Sequence, residues 1–248
     1  MTKVLLKSDF DIVKKIKTGN GGTSYIINND HDLYVYKPYD FVQGINEYVA
    51  QRFIKSMGLN FMAVQWMKYG DLISCVTKSK NDLTRIYSDY FNKLDEDRKI
   101  EWFIFRILNR IFDNHDKHGE QYLDKDSNLY SLDFGESIIS GTQNVRMILK
   151  NVFVDNYRET IIDEYCDKKF YRRLTECRHE CYELLNKSGL TTNNIDDYFE
   201  KALVIIKSAK INDMGDVFDD ISCLFSKELA NIYREILEIV IKLCNFKR

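Results

Sequence analysis

Apolar and polar positions alternate along the first eighty or so residues, and then the period changes. Five short runs rich in Val, Ile, Tyr and Thr, "DIVKKIK", "TSYIIN", "LYVYK", "FMAVQWM" and "LISCVTK", are separated by turn-forming residues and predict β-strands. "NNDHD" at 28–32 predicts the hairpin loop between the second and third of these. Between the third and fourth, "INEYVAQRFIKSMG" predicts a helix closed by Gly58.

After residue 80 the apolar spacing is mainly helical. Residues 95–112, "DEDRKIEWFIFRILNRIF", open with acidic side chains that suit a helix N-terminus. Ile100, Phe103, Ile104, Ile107, Leu108 and Ile111 form a broad apolar face, widened by Trp102 and Phe105, which predicts a central, largely buried helix. Two short strands, "QYLD" and "LYSLD", flank the turn "KDSN". From about residue 142 amphipathic helices follow, among them "NIDDYFEKALVIIKSA" and "KELANIYREILEIVIKL", and no internal repeat is visible. The expectation is an α+β chain forming one domain, 1–248. Its N-lobe, 1–78, would hold an antiparallel sheet with one helix, and its C-lobe, 79–248, would be larger and mainly helical. A ligand would sit in the cleft between them.

Composition changes this picture little. A formal net charge of −2 and a pI near 6.1 give no global basic field for nucleic acid or acidic membranes. No run of about 18 uncharged apolar residues predicts a membrane span, and the N-terminal apolar run "VLL" is too short for a secretory signal. A cytoplasmic protein is expected. Six cysteines without regular spacing suggest free thiols in a reducing compartment. Cys166, Cys177, His179 and Cys181 have the residue types of a zinc site. Yet Cys177 and Cys181 lie one helical turn apart among Leu174, Leu184 and Leu185, where a buried cysteine behaves as a small hydrophobe. Core packing is the favoured reading.

Four signals carry chemistry. Gly19, Gly21 and Gly22 in "KTGNGGTSYIIN" lie between two strand-like runs, where main-chain N–H groups can approach a phosphate without side-chain obstruction. This is not the GxxxxGK[ST] nucleotide motif, and alone it reads as an ordinary hairpin loop. Lys37 ends "LYVYK" and continues the face of Leu33 and Val35, so it points inward and needs an anionic partner. Glu47 heads a helical stripe completed by Ala50, Ile54 and Met57, where an ionised carboxylate needs a cation; Lys37 is the nearest candidate. The bland alternative is an acidic residue favouring the helix dipole. Last, "IFDNHDKHGEQYL" precedes "LDFGE", so that a short hairpin brings Asp116 and Asp133 toward one cleft. One carboxylate can orient or deprotonate a hydroxyl while the other holds Mg²⁺.

In that order, these residues resemble the HipA-like kinases, relatives of the protein-kinase fold that share D-x-H-x-x-N and DFG-type motifs with phosphatidylinositol 3- and 4-kinases. The likeness runs over about residues 12–137, through "GNGGTSYI", "YVYKP", "NEYVAQRFIKSMGL", "DKHGEQYL" and "LDFGES". It implies an ATP- and Mg²⁺-dependent kinase, most simply acting on a protein Ser/Thr hydroxyl. Lys37 would contact the α/β-phosphates and Glu47 would orient it. Asp116 would be the catalytic aspartate, His118 a loop organiser and Asp133 the principal Mg²⁺ ligand. The family's metal-binding Asn falls on Gln121, whose amide oxygen stands one methylene farther out. Reading Asp113-Asn114-His115 as the motif instead puts His118 at the Asn position and fits worse. The chain is shorter than full HipA toxins and lacks room for their N-terminal module, so short stand-alone members, secreted bacterial kinases among them, are the nearer comparison. The family's autophosphorylation points to Thr23 and Ser24, expected on the flexible tip beside the nucleotide phosphates. Expected partners are a protein acceptor and an antitoxin-like or regulatory protein. The rivals are a lipid or small-molecule kinase and a pseudokinase that binds nucleotide without transferring phosphate.

Overall fold

The computed structural model describes residues 5–6, 11–17, 23–29, 32–36, 41–69, 72–80, 82–114, 121–135, 137–139 and 154–245. Strands β1 (Leu5–Leu6), β2 (Asp11–Lys17), β3 (Thr23–Asn29), β4 (Asp32–Tyr36), β5 (Val64–Tyr69) and β6 (Leu72–Lys78) form one sheet in the order β1-β5-β6-β4-β3-β2. Every pairing is antiparallel except β1 with β5, which is parallel. The five longer strands coincide closely with the alternating runs. Alternation sorts their side chains: Ile27, Tyr34, Met67 and Val76 form a small cluster of their own, while Val64, Trp66 and Cys75 join the main core.

That main core begins with helix α1 (Phe41–Ser56), which packs on β5 and β6. A Cβ built at Gly44 would lie 3.3 Å from Cys75 Sγ, so the absent side chain lets helix and sheet approach closely. The helix ends as the sequence predicts: Gly58 has φ 79° and returns its N–H to the Lys55 carbonyl at 2.9 Å.

Below the sheet, helix α2 (Glu96–Ile111) is capped by Asp95, whose carboxylate accepts from Arg98 N at 2.8 Å. Its predicted apolar face is buried from Trp102 to Ile111, with Ile100 partly buried at its start. A second sheet, β7 (Thr84–Ile86), β8 (Gln121–Leu123) and β9 (Leu129–Ser131), lies against it in that order. Helices α3 (Val154–Asp163), α4 (Asp167–Leu185), α5 (Thr192–Lys207), α6 (Gly215–Leu224) and α7 (Lys227–Cys244) complete the chain. Thr191 and Asn194 form a capping box on α5, and Ser226 caps α7. None of the helices among the described residues is long and apolar enough to cross a membrane.

Two strands, β1 and β7, were not predicted, nor was the way α1 is held from the far end of the chain. Tyr48 on α1 donates to Asp220 Oδ2 on α6 at 2.9 Å, and Tyr233 on α7 donates to Asn46 Oδ1 on α1 at 2.7 Å. All six cysteines are free; Cys177 and Cys181 are core residues of α4, and contact with Cys181 together with burial holds the Cys177 thiol well above its usual pKa.

Candidate functional site

A cleft of about 230 Å³ opens between the two sheets. Val35, Cys75 and Thr77 line it from the large sheet, with Met62 beside them, and Glu47 from α1. Ser79, Lys80 and Leu83 line it from the connector after β6, and Tyr122, Leu132 and Asp133 from the β8–β9 side. Apolar walls with a few convergent polar groups are the usual make-up of a small-ligand site.

Glu47 is 4 % exposed and reaches the "DFG" turn directly. Its Oε2 accepts the main-chain N–H of Phe134 at 2.5 Å, and its Oε1 accepts from Gln51 Nε2 at 2.9 Å. Gln51 Nε2 also donates to the Ser131 carbonyl at 3.0 Å, and Met62 N donates back to Gln51 Oε1 at 2.8 Å. Asn46 donates to the carbonyls of Gly135 at 2.9 Å and Ile139 at 3.2 Å, and accepts from Ile139 N at 3.3 Å. Three polar side chains of one buried helix thus bind the backbone of residues 131–139. Buried main-chain groups outside regular structure need such partners, and side chains supply them here.

Asp133 itself has φ 68°, in the left-handed region that non-glycine residues rarely occupy. Its carbonyl accepts from Asn114 Nδ2 at 3.0 Å. The same Nδ2 donates to Asn109 Oδ1 at 2.7 Å, and Asn109 Nδ2 donates to Phe105 O at 2.8 Å and Ser131 Oγ at 3.1 Å. Asp113, at the head of the same segment, also has positive φ, 52°, and its Oδ2 accepts from Arg173 Nη2 at 3.1 Å.

On the connector, Lys80 Nζ donates to Asp124 Oδ2 at 3.1 Å and to the Tyr130 hydroxyl, and lies 4.1 Å from the Tyr130 ring centroid. Burial works against both charges. Nevertheless the bonds from Asn128, Lys80 and Tyr130 hold the Asp124 carboxyl below the usual range, and those to Tyr130 and Asp124 raise the Lys80 pKa.

Of the residues the sequence singles out, Glu47 and Asp133 come together in the cleft. Gly19, Gly21, Gly22, Lys37, Asp116 and His118 lie outside the described residues. Gln121 is not brought to the cleft. It is 1 % exposed, its Nε2 donates to the Trp102 carbonyl of α2 at 3.0 Å, and its neighbour Tyr122 takes the cleft-facing position. Strand alternation in β8 turns 121 and 122 to opposite faces. Thr23 and Ser24 are not on a hairpin tip either: they begin β3, paired with Lys17 and Ile16, and Ser24 is only 5 % exposed. The β-forming Thr starts the ladder directly after the glycines. Asn46, Gln51, Asn109, Asn114 and Lys80 were not foreseen; polar residues inside otherwise apolar helical stripes were the available signal for the first three.

The oxygen-rich character of Asp133 suits a hard cation. Mg²⁺ is held by one or two carboxylates together with substrate phosphates and water. Asp133 supplies one such carboxylate on the cleft wall, and both oxygens of Glu47 accept N–H groups. A lone carboxylate of this kind suits an ion shared with substrate phosphates, and no group of three or more His, Cys, Asp or Glu side chains that could hold a metal by themselves is present among the described residues.

No protein-family model matches the chain, and no curated protein matches it in sequence. Among solved structures it is similar to the proinflammatory kinase CtkA of Helicobacter pylori, with a TM-score of 0.58 and 13 % identity, over 99 % of this chain and 100 % of that one. The fold is kinase-like. An antiparallel N-terminal sheet carrying one helix over a mainly helical remainder is the arrangement expected from the sequence pattern.

Proposed function

We propose that the protein is an ATP- and Mg²⁺-dependent phosphotransferase of the HipA-like type, acting on Ser/Thr hydroxyls of a protein acceptor. The observation that carries this reading is the assembly of Glu47 on the "DFG" turn beside Asp133 in a cleft between the two sheets. Likeness over the full length of a kinase supports it.

In this reading, adenine lies between Val35 and Tyr122, near the connector residues Ser79 and Lys80. Gly19, Gly21 and Gly22 offer main-chain N–H groups to the phosphates, and Lys37 contacts the α- and β-phosphates. Glu47 fixes the turn that presents Asp133 and orients Lys37. Asp133 holds Mg²⁺, which when bound neutralises phosphate charge during transfer. Asp116 takes the proton of the acceptor hydroxyl, and His118 holds the loop around it. Positioning and charge neutralisation supply most of the rate gain. Of the two hydroxyls expected on the nucleotide loop, that of Ser24 is buried, which counts against it as a self-phosphorylation site.

One observation favours a second reading. With Gln121 turned toward Trp102, the side-chain amide that would help hold metal is withdrawn, and a nucleotide-binding module without transfer follows. Incubation with γ-labelled ATP and Mg²⁺ separates the readings. Label on protein supports the first, label on a small acceptor points to a lipid or metabolite kinase, and nucleotide binding without transfer supports the second. A protein that binds no nucleotide at all refutes both.

A further inference from the structure

The peptide unit joining Asp133 to Phe134 is held from both sides. Glu47 Oε2 accepts its N–H at 2.5 Å, and Asn114 Nδ2 donates to its carbonyl at 3.0 Å. We infer that Asn114 is a positioning residue for the metal-binding carboxylate, acting through the Asp133 main chain; this rests on the proposed phosphotransfer reading.

Three features support the assignment. First, Asp133 sits at φ 68°, a conformation that persists in a non-glycine residue only where surrounding groups impose it. The direction of its carboxylate follows from that backbone, and the grip on the peptide fixes the backbone. Second, the Asn114 amide is used for its NH₂ group. Both Nδ2 hydrogens have acceptors, Asn109 Oδ1 at 2.7 Å and Asp133 O at 3.0 Å, whereas Oδ1 is buried with no partner among the described residues. Third, Asn114 is itself held by its neighbours. Its N–H donates to the Asn109 carbonyl at 2.9 Å, and Asn109 is fixed by Phe105 O and Ser131 Oγ. The support therefore runs from α2 through two asparagine amides to the turn that faces the cleft. Outer-shell partners of this kind orient a metal ligand without touching the metal.

Substitution at 114 tests the assignment. Asn114→Asp replaces the donor by an acceptor facing two oxygens, Asn114→Ala removes it, and Asn114→Ser keeps a shorter donor. Binding of a fluorescent ATP analogue is titrated with Mg²⁺, without reference to turnover, and each variant's thermal unfolding is recorded. The Mg²⁺ concentration for half-maximal binding should rise about tenfold or more in Asn114→Asp and Asn114→Ala, with metal-free binding within about twofold of wild type.

A folded variant with wild-type Mg²⁺ dependence overturns the assignment. So does parallel loss of binding with and without metal, or failure of all three variants to fold, which makes Asn114 a structural residue instead. Wild-type protein is the control: if it binds no nucleotide, the phosphotransfer reading has failed, whereas wild-type binding with unaltered variants removes only the role of Asn114.

Discussion

Glu47 and Phe134, 87 residues apart, are joined by one short hydrogen bond from the Phe134 main-chain N–H to the Glu47 carboxylate. The bond ties helix α1 to the "DFG" turn. Glu47 is buried, so removing its carboxylate strands the Phe134 N–H and releases one contact of Gln51 Nε2. Glu47→Ala should cost about 2–3 kcal/mol, as expected when a buried donor loses a charged acceptor. Urea unfolding monitored by tryptophan fluorescence gives this value. A loss below about 0.5 kcal/mol, less than an ordinary net hydrogen bond, would show that the turn finds another acceptor.

Separate roles for the two aspartates lead to a second expectation. Asp133→Ala should lose Mg²⁺-dependent nucleotide binding, whereas Asp116→Ala should bind MgATP and fail to transfer phosphate. Lys37→Ala should weaken ATP binding with the unfolding temperature unchanged. Calorimetric titration with ATP, with and without Mg²⁺, distinguishes the three. Equal behaviour of the two aspartate variants contradicts the division of roles.

Lys80 and Asp124 tie the connector to the β8–β9 hairpin, and their protonation makes that tie dependent on pH. The Asp124 pKa is lowered in the folded protein, so its contribution is present above the ordinary carboxylate value of about 4 and is lost progressively as pH falls below that. The Lys80 pKa is raised, so its contribution is present at and below neutrality and disappears only as pH climbs through the raised value. Asp124→Asn should therefore lower stability at pH 7 and lower it somewhat less at pH 3, where the folded-state carboxyl is still largely ionised. Chemical denaturation at both values checks the sign; an equal deficit at the two pH values rules out the carboxylate as the source.

The sequence pattern locates strands well where alternation has room to show, as in "DIVKKIK" and "LISCVTK". It misses β1 and β7, of two and three residues, because a run that short has no period and its conformation is imposed by the strand it pairs with. Glu47 and Asp133, singled out by residue type and order, line one cleft. The described partners of Glu47 are not legible: a buried carboxylate calls for a cation in the sequence, yet the structure also gives it a neutral N–H exposed by the left-handed turn at Asp133. Ser24 fails for a related reason. Neighbouring glycines suggest a free tip, but pairing with Ile16 draws the residue into the sheet. Gln121 lies at the motif spacing, and strand alternation then turns it toward α2.

The C-terminal helices give a last expectation, because they hold α1 in place. Asn46 donates to Gly135 O and Ile139 O while accepting from Ile139 N and from the Tyr233 hydroxyl. Tyr233 is fully buried and desolvation keeps its hydroxyl protonated, so it remains a donor at any pH the protein tolerates. Tyr233→Phe removes one of two donors to Asn46 Oδ1, leaving Ile139 N, and should cost about 1 kcal/mol. Asn46→Ala strands two buried carbonyls, one N–H and the tyrosine hydroxyl together, and should cost about 3 kcal/mol or more. Because both changes act on one network, the double variant should be little worse than Asn46→Ala alone. The same double-mutant cycle, read in nucleotide affinity, tells whether α7 supports the cleft or only the fold. Coupling in stability without coupling in affinity confines the Tyr233 contact to folding; coupling in both makes the C-terminal helix part of what holds Glu47 against the "DFG" turn.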